Sequence, residues 1–211
     1  MTPFYDRDGI TIYCGDCRQI LPQIQADVCI TDPVWPNVHP DLIGADDPLG
    51  LWESTLPLIH VKRLCVWLGC QSDQRFMRSI PSELPFLRAC YLRRAVPSYN
   101  GRCLVSGDLL YCFGEWPVAV RGQKLLPGEN SETSRKSRKL PHPSPRSIGH
   151  ARWVVKWWSS AGETIIDPFA GIGTTLRAAQ SFGRRAIGIE IDESYCALAV
   201  KLLRQRTLFP R

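Results

Sequence analysis

Strand–helix–strand–helix alternation over the last third of the chain predicts an α/β fold: a doubly wound, mostly parallel sheet with helices on both faces. Two further observations point the same way. Thr164-Ile165-Ile166-Asp167 and Arg185–Glu190 are short apolar runs of the kind a buried strand needs. The first runs directly into Asp167-Pro168-Phe169-Ala170-Gly171-Ile172-Gly173-Thr174-Thr175, a glycine-bearing turn that joins a strand to a helix.

In chain order, Ile10–Tyr13 reads as a strand and Cys17–Leu21 as a short helix that ends near Pro22. Asp27–Thr31 is an apolar strand stopped by Asp32-Pro33. Pro36, Pro40, Gly44, Pro48 and Gly50 punctuate the next stretch, so a loop is expected there, then a helix from Leu51 to about His60. Leu64–Gly69, Phe86–Val96 and Leu109–Phe113 read as strands. From Gly122 to Ser147 the chain turns polar, with Ser, Pro, Gly and basic residues, and predicts a surface loop or short insertion. Ile148–Trp158 carries apolar residues at 148, 151, 154, 155 and 158, a helical period. Thr174–Phe182 is a helix that stops at Gly183. Asp192 suits the N-cap of a last helix, whose buried face is Tyr195, Leu198, Ala199, Leu202 and Leu203.

With 211 residues, one domain with one core is expected. No apolar run has the roughly 18 residues of a membrane span. Met1–Gly9 is polar and holds Asp6, Arg7 and Asp8, which does not fit a signal peptide, so a cytoplasmic protein is expected. The nine cysteines are irregularly spaced, and Cys14-x-x-Cys17 has no second pair to complete a zinc site, so no metal is expected. Buried structural thiols are the reading. The net charge of +6 permits a polyanionic partner without requiring one.

The turn after Asp167 narrows the chemistry. It lacks the third glycine of a dinucleotide fingerprint, where Leu176 stands, and it lacks the Gly-Lys-Ser/Thr of a phosphate loop. Gly171 and Gly173 let backbone approach a ligand, and Glu190 ends the next strand with a carboxylate able to accept two ribose hydroxyls. The full Asp-Pro-Phe-Ala-Gly-x-Gly-Thr-Thr string resembles motif I of the amino-methyltransferases. Thr31-Asp32-Pro33-Val34-Trp35 resembles their catalytic motif, Asp/Asn/Ser-Pro-Pro-aromatic, with Val34 in place of the second proline. Tyr13–Arg18 is similar to the Gly-Asp-Cys segment, Leu109–Gly114 to the strand lining the target-base pocket, and His142–Ser147 to His-Pro-Thr-x-Lys-Pro, from which it departs at Arg146 and Ser147. The catalytic string precedes the cofactor loop, the order of the beta class.

This resemblance implies a Rossmann-like methyltransferase sheet and S-adenosylmethionine as cofactor. It assigns cofactor contacts to Asp16, Cys17, Asp32, Pro143, Ser144, Asp167, Phe169, Ala170, Gly171, Gly173, Thr174, Thr175 and Glu190. It assigns catalysis to Asp32, Pro33 and Trp35. An exocyclic amine is a poor nucleophile because its lone pair is delocalised into the ring. The Asp32 carboxylate and the Pro33 carbonyl would accept its two N–H bonds, and Trp35 would stack on the flipped base. Flipping costs a few kcal/mol, and stacking returns roughly 1–3 kcal/mol. Asp at the first motif position favours adenine N6 over cytosine N4, which stays open as the alternative beside a non-catalytic nucleic-acid binder. Cytosine C5 chemistry needs a Pro-Cys nucleophile, and none of the nine cysteines follows a proline.

The implied partner is DNA, with no membrane. Residues 1–211 are read as a single methyltransferase domain, with 120–147 an insertion in the target-recognition position. Its Arg135, Lys136, Arg138 and Lys139 are candidates for phosphate contact. A homodimer is compatible with this reading. A restriction nuclease partner is left open.

Overall fold

The computed structural model describes residues 1–36, 40–70, 72–119, 122, 125–132 and 145–205. Among these residues, the centre is a nine-stranded sheet in the order β1 (Tyr5–Arg7), β2 (Ile10–Cys14), β9 (Arg185–Glu190), β8 (Thr164–Asp167), β3 (Val28–Thr31), β4 (Arg63–Gly69), β6 (Cys103–Gly114), β5 (Phe86–Asn100) and β7 (Glu129–Ser131). The parallel block contains β2 (Ile10–Cys14), β9 (Arg185–Glu190), β8 (Thr164–Asp167), β3 (Val28–Thr31) and β4 (Arg63–Gly69). Every residue of β3 is buried, as are all of β4 but its last. That fits their mostly apolar sequence, Thr31 and Arg63 apart, since a strand covered on both faces has no solvated side.

Alternate side chains feed two cores. Val28, Ile30, Cys65, Trp67 and Ile165 pack with α3 (Ile148–Trp158), α4 (Thr174–Ser181) and α5 (Glu193–Arg204). Cys29, Leu64, Val66 and Ile166 pack with α1 (Cys17–Ile20) and α2 (Pro48–Thr55). The helices therefore lie on both faces, as the sequence predicts. Ser147, Asp192 and Asp47 cap α3, α5 and α2 through side-chain oxygens that accept backbone N–H bonds.

Five elements depart from the sequence expectation. β1 (Tyr5–Arg7) is an addition. It forms an antiparallel hairpin with β2 across Asp8-Gly9, whose φ values of 54° and 76° fit a type I′ turn. α2 starts at Pro48, three residues before the expected start, because Asp47 caps it and proline is preorganised for the first turn. β5 (Phe86–Asn100) and β6 (Cys103–Gly114) form a hairpin longer than their apolar cores, since ladder hydrogen bonds carry polar residues outward. Within the polar stretch, β7 (Glu129–Ser131) pairs in parallel with β5, so this part joins the sheet edge.

Candidate active site

Strands β2, β9, β8 and β3 point their carboxyl ends to one edge of the sheet. From β3 the chain crosses through α2 to β4 on one side. From β8 it crosses through α4 to β9 on the other, packed on the opposite face. The crossovers diverge between β8 and β3, and such a switch point opens a ligand crevice. A cavity of about 220 Å³ lies there, lined by the β2–α1, β3–α2, β8–α4 and β9–α5 turns and by Pro145 and Arg146.

On the β8–β9 side, backbone donors organise the carboxylates. Glu190 Oε2 accepts the Gly171 N–H at 2.7 Å, and Oε1 accepts the Asp192 N–H at 2.9 Å. Each oxygen keeps one lone pair for a ligand hydroxyl. Burial holds the Glu190 carboxyl above its ordinary range. Asp167 is 3% exposed and accepts from Thr31 Oγ1 at 2.9 Å and from the Phe169 N–H at 3.2 Å. Burial raises its pKa to about 7, against the hydrogen bonds from Thr175 and Thr31, which lower it. Gly171 and Gly173 take left-handed φ values of 52° and 75°. Gly171 lines the cavity, whereas Gly173 serves packing: a Cβ there would sit 3.0 Å from Ala199 Cβ. Asp16 caps α1 and is also gripped by the Arg18 guanidinium at 2.6 Å, which lowers its pKa. The Cys17 thiol is buried against the Thr55 hydroxyl, and burial raises its pKa.

On the β3 side, side chains organise the carboxylate. Asp32 Oδ1 accepts the Trp35 indole N–H at 2.8 Å and Arg146 Nη2 at 2.7 Å. Asp32 Oδ2 accepts Arg146 Nε at 2.6 Å. The third guanidinium nitrogen, Nη1, reaches Asp108 Oδ2 at 3.0 Å, and Asp108 is also held by Arg94 at 2.9 Å. The two carboxylates raise the Arg146 pKa above the usual guanidinium range despite its burial. The Trp35 ring is only 7% exposed. Phe76 stacks on it with centroids 6.4 Å apart, and Arg146 Cζ lies 5.4 Å from its centroid.

The fold thus brings Asp16, Cys17, Asp32, Pro33, Trp35, Asp167, Phe169, Ala170, Gly171, Thr174, Thr175 and Glu190 to one cavity wall. Gly173 stands behind it. Pro143, Ser144, Arg135, Lys136, Arg138 and Lys139 lie outside the described residues. Sequence reasoning missed Asp108, Arg94 and Phe76, and it met Arg146 only as a departure from a motif. The one local signal was a charged residue, Asp108, heading the apolar run 109–113.

The sheet order, the switch-point cavity and the acid-ended β9 define a Rossmann-like methyltransferase fold. The chain belongs to the DNA methylase family N6_N4_Mtase, which it matches over residues 45–201. It is 37% identical over 203 residues to the putative methylase YubD of Escherichia coli K12, covering 86% of this chain and 84% of YubD. It is 43% identical over 118 residues to the orphan methyltransferase M.BamHII of Bacillus amyloliquefaciens, covering 50% of this chain but 44% of that protein, so the match spans less than half of M.BamHII. Its fold is similar to that of the M1.HpyAVI–SAM complex, with a TM-score of 0.71 at 20% identity, over 92% of this chain and 98% of that one.

Proposed function

We propose that this chain transfers a methyl group from S-adenosylmethionine to the exocyclic amino group of a DNA base, adenine N6 in preference to cytosine N4. One observation carries the reading: the Asp32 carboxylate after β3, the Gly171 turn after β8 and the Glu190 carboxylate ending β9 open onto the same cavity at the switch point.

The cavity fits the cofactor. Glu190 has two spare acceptor sites for ribose hydroxyls, Phe169 and Ile191 supply apolar wall, and Asp16 stands beside the β2 turn for a ring amine. When bound, S-adenosylmethionine supplies an electrophilic sulfonium methyl. The chain then has to aim an amine at it. Asp32 Oδ1 already accepts two hydrogen bonds, so the acceptor left for an incoming N–H is the second lone pair of Oδ2. The Pro33 carbonyl accepts the other N–H. Together they favour a pyramidal nitrogen, and the surplus proton leaves along the Asp32 hydrogen bond to solvent.

The target base reaches the cavity by flipping out of the duplex. Stacking on Trp35 has to part its ring from a neighbour. An aromatic pair such as Trp35–Phe76 contributes roughly 0.5–1.5 kcal/mol, whereas removing a partner from a buried ion pair costs roughly 3–5 kcal/mol. Phe76 is therefore the neighbour that yields. Asp as the first catalytic-motif residue supports adenine. Residues 1–211 act as one methyltransferase domain, with 120–147 in the target-recognition position. Its four basic residues hold DNA phosphates, and neutralising Arg135, Lys136, Arg138 and Lys139 lowers the log–log salt slope of DNA binding by roughly 3.6.

Nucleoside mass spectrometry of DNA treated with protein and cofactor tests the function, with Asp32→Ala as control. N6-methyladenine is expected. N4-methylcytosine would move the base assignment, and no methylated nucleoside on varied DNA would defeat the enzyme reading.

A further inference from the structure

Arg146 is the side chain that joins the catalytic turn after β3 to β6, one strand beyond its neighbour β4. It stands immediately before the Ser147 cap of α3, so its backbone is fixed by a helix start. Its side chain is 16% exposed and spans two carboxylates from separate elements, Asp32 after β3 and Asp108 in β6. Three of its nitrogens are each aimed at a carboxylate oxygen, at 2.6, 2.7 and 3.0 Å. Asp108 is 5% exposed, and Arg94 braces it from β5.

We infer that Arg146 is a positioning residue for methyl transfer: its forked grip sets the rotation of the Asp32 carboxylate, so that one lone pair of Oδ2 faces the amine. The inference rests on the methyl-transfer reading above. The geometry supports it in two ways. A planar guanidinium that meets both oxygens of one carboxylate fixes that carboxylate's plane, which a lysine ammonium does not do. The Trp35 indole then occupies the remaining site on Oδ1. Without Arg146 the carboxylate rotates about its Cβ–Cγ bond, and the acceptor no longer has a single direction.

The test compares the wild type with Arg146→Lys and with the charge-balanced Arg146→Gln/Asp108→Asn. Single-turnover methyl transfer, cofactor Kd and the indole N–H resonance of Trp35 in the free protein (assigned with Trp35→Phe) are measured. The double variant is expected to lose about 100-fold in the transfer rate, the scale of a misplaced reacting group, and the Lys variant about 10-fold. Cofactor Kd stays within about twofold, since Glu190 and Gly171 are untouched, while the Trp35 resonance shifts in both variants. A merely structural residue would lower stability without this split between rate and cofactor affinity. Wild-type or faster transfer in the double variant would overturn the inference, and faster transfer would mark Arg146 as a latch over Asp32. If the double variant does not fold, the Lys variant decides by the same criterion. An inactive wild type would instead defeat the methyl-transfer reading, and the Trp35 resonance would still report whether Arg146 orders Asp32.

Discussion

Glu190 and Asp32 are both acids at the carboxyl ends of parallel strands, and both face one cavity. They are held in opposite ways. Glu190 is fixed by backbone N–H groups 19 and 2 residues away, in the turns next to it. Asp32 is fixed by a guanidinium 114 residues away and an indole 3 residues away. The cofactor-side acid is held by backbone donors, which the turns after β8 and β9 supply. The amine side depends on the tertiary fold bringing Arg146, at the start of α3, between the turn after β3 and Asp108 of β6. Thr31 links the two, since its hydroxyl on β3 donates to Asp167 on β8.

If the sides are separable, damage to one leaves the other working. The largest effect is expected from Asp32→Ala, which should lower single-turnover methyl transfer about 1,000-fold, within the range for a positioned acid–base group. Calorimetry should find cofactor binding reduced far less than transfer, since Asp32 is one of many groups on the cavity wall. A parallel loss of cofactor binding would break the comparison.

The link between the sides has its own signature in pH. Asp167 titrates at about 7 in the folded chain against an ordinary 3.8. Between those values the folded state holds more protons than the unfolded one, so stability falls as pH rises through this window. Asp167→Asn removes the titration. Its stability relative to wild type should grow from about pH 4 to about pH 7, by up to about 4 kcal/mol at full ionisation. Denaturant melts across that range check the sign, and parallel pH curves would contradict it.

A smaller effect is expected from Glu190→Gln. A hydrogen bond to a charged group is worth about 1.5–3 kcal/mol, so cofactor Kd should rise roughly 10- to 100-fold. The Trp35 indole resonance should not move, because the Asp32 network is intact. The smallest concerns Gly188 in β9, where a Cβ would lie 2.6 Å from Leu176 Cδ1 and 3.0 Å from Ala170 Cβ. Gly188→Ala should cost about 1–3 kcal/mol of stability by overpacking. It should also weaken cofactor binding through Ala170, while the Asp32 network again stays silent in the indole spectrum.

Much of the molecule is legible along the chain. The helix caps at Ser147 and Asp192 rest on interactions within three residues, and the apolar strands β3, β4, β8 and β9 and the glycine-bearing turn from Asp167 to Thr175 carry their signal in residue order even though distant segments complete their hydrogen bonds. Local chemistry leaves a local pattern, and such a pattern can be read from residue order. The Asp8-Gly9 turn is equally local and marks β1. The short β7 leaves no pattern, because an edge strand of three residues draws its stability from the neighbour it pairs with.

The amino-acid sequence by itself determined the α/β class, the order of catalytic and cofactor segments and the identity of the acids at the strand ends. The tertiary structure alone decided which groups surround those acids. Arg146 and Asp108 stand 38 residues apart and both lie far from Asp32, so no periodicity, cap or turn ties them together. What joins them is the energy of burying charge. A guanidinium largely shielded from water needs carboxylates beside it, and only the folded sheet brings Asp32 and Asp108 within its reach.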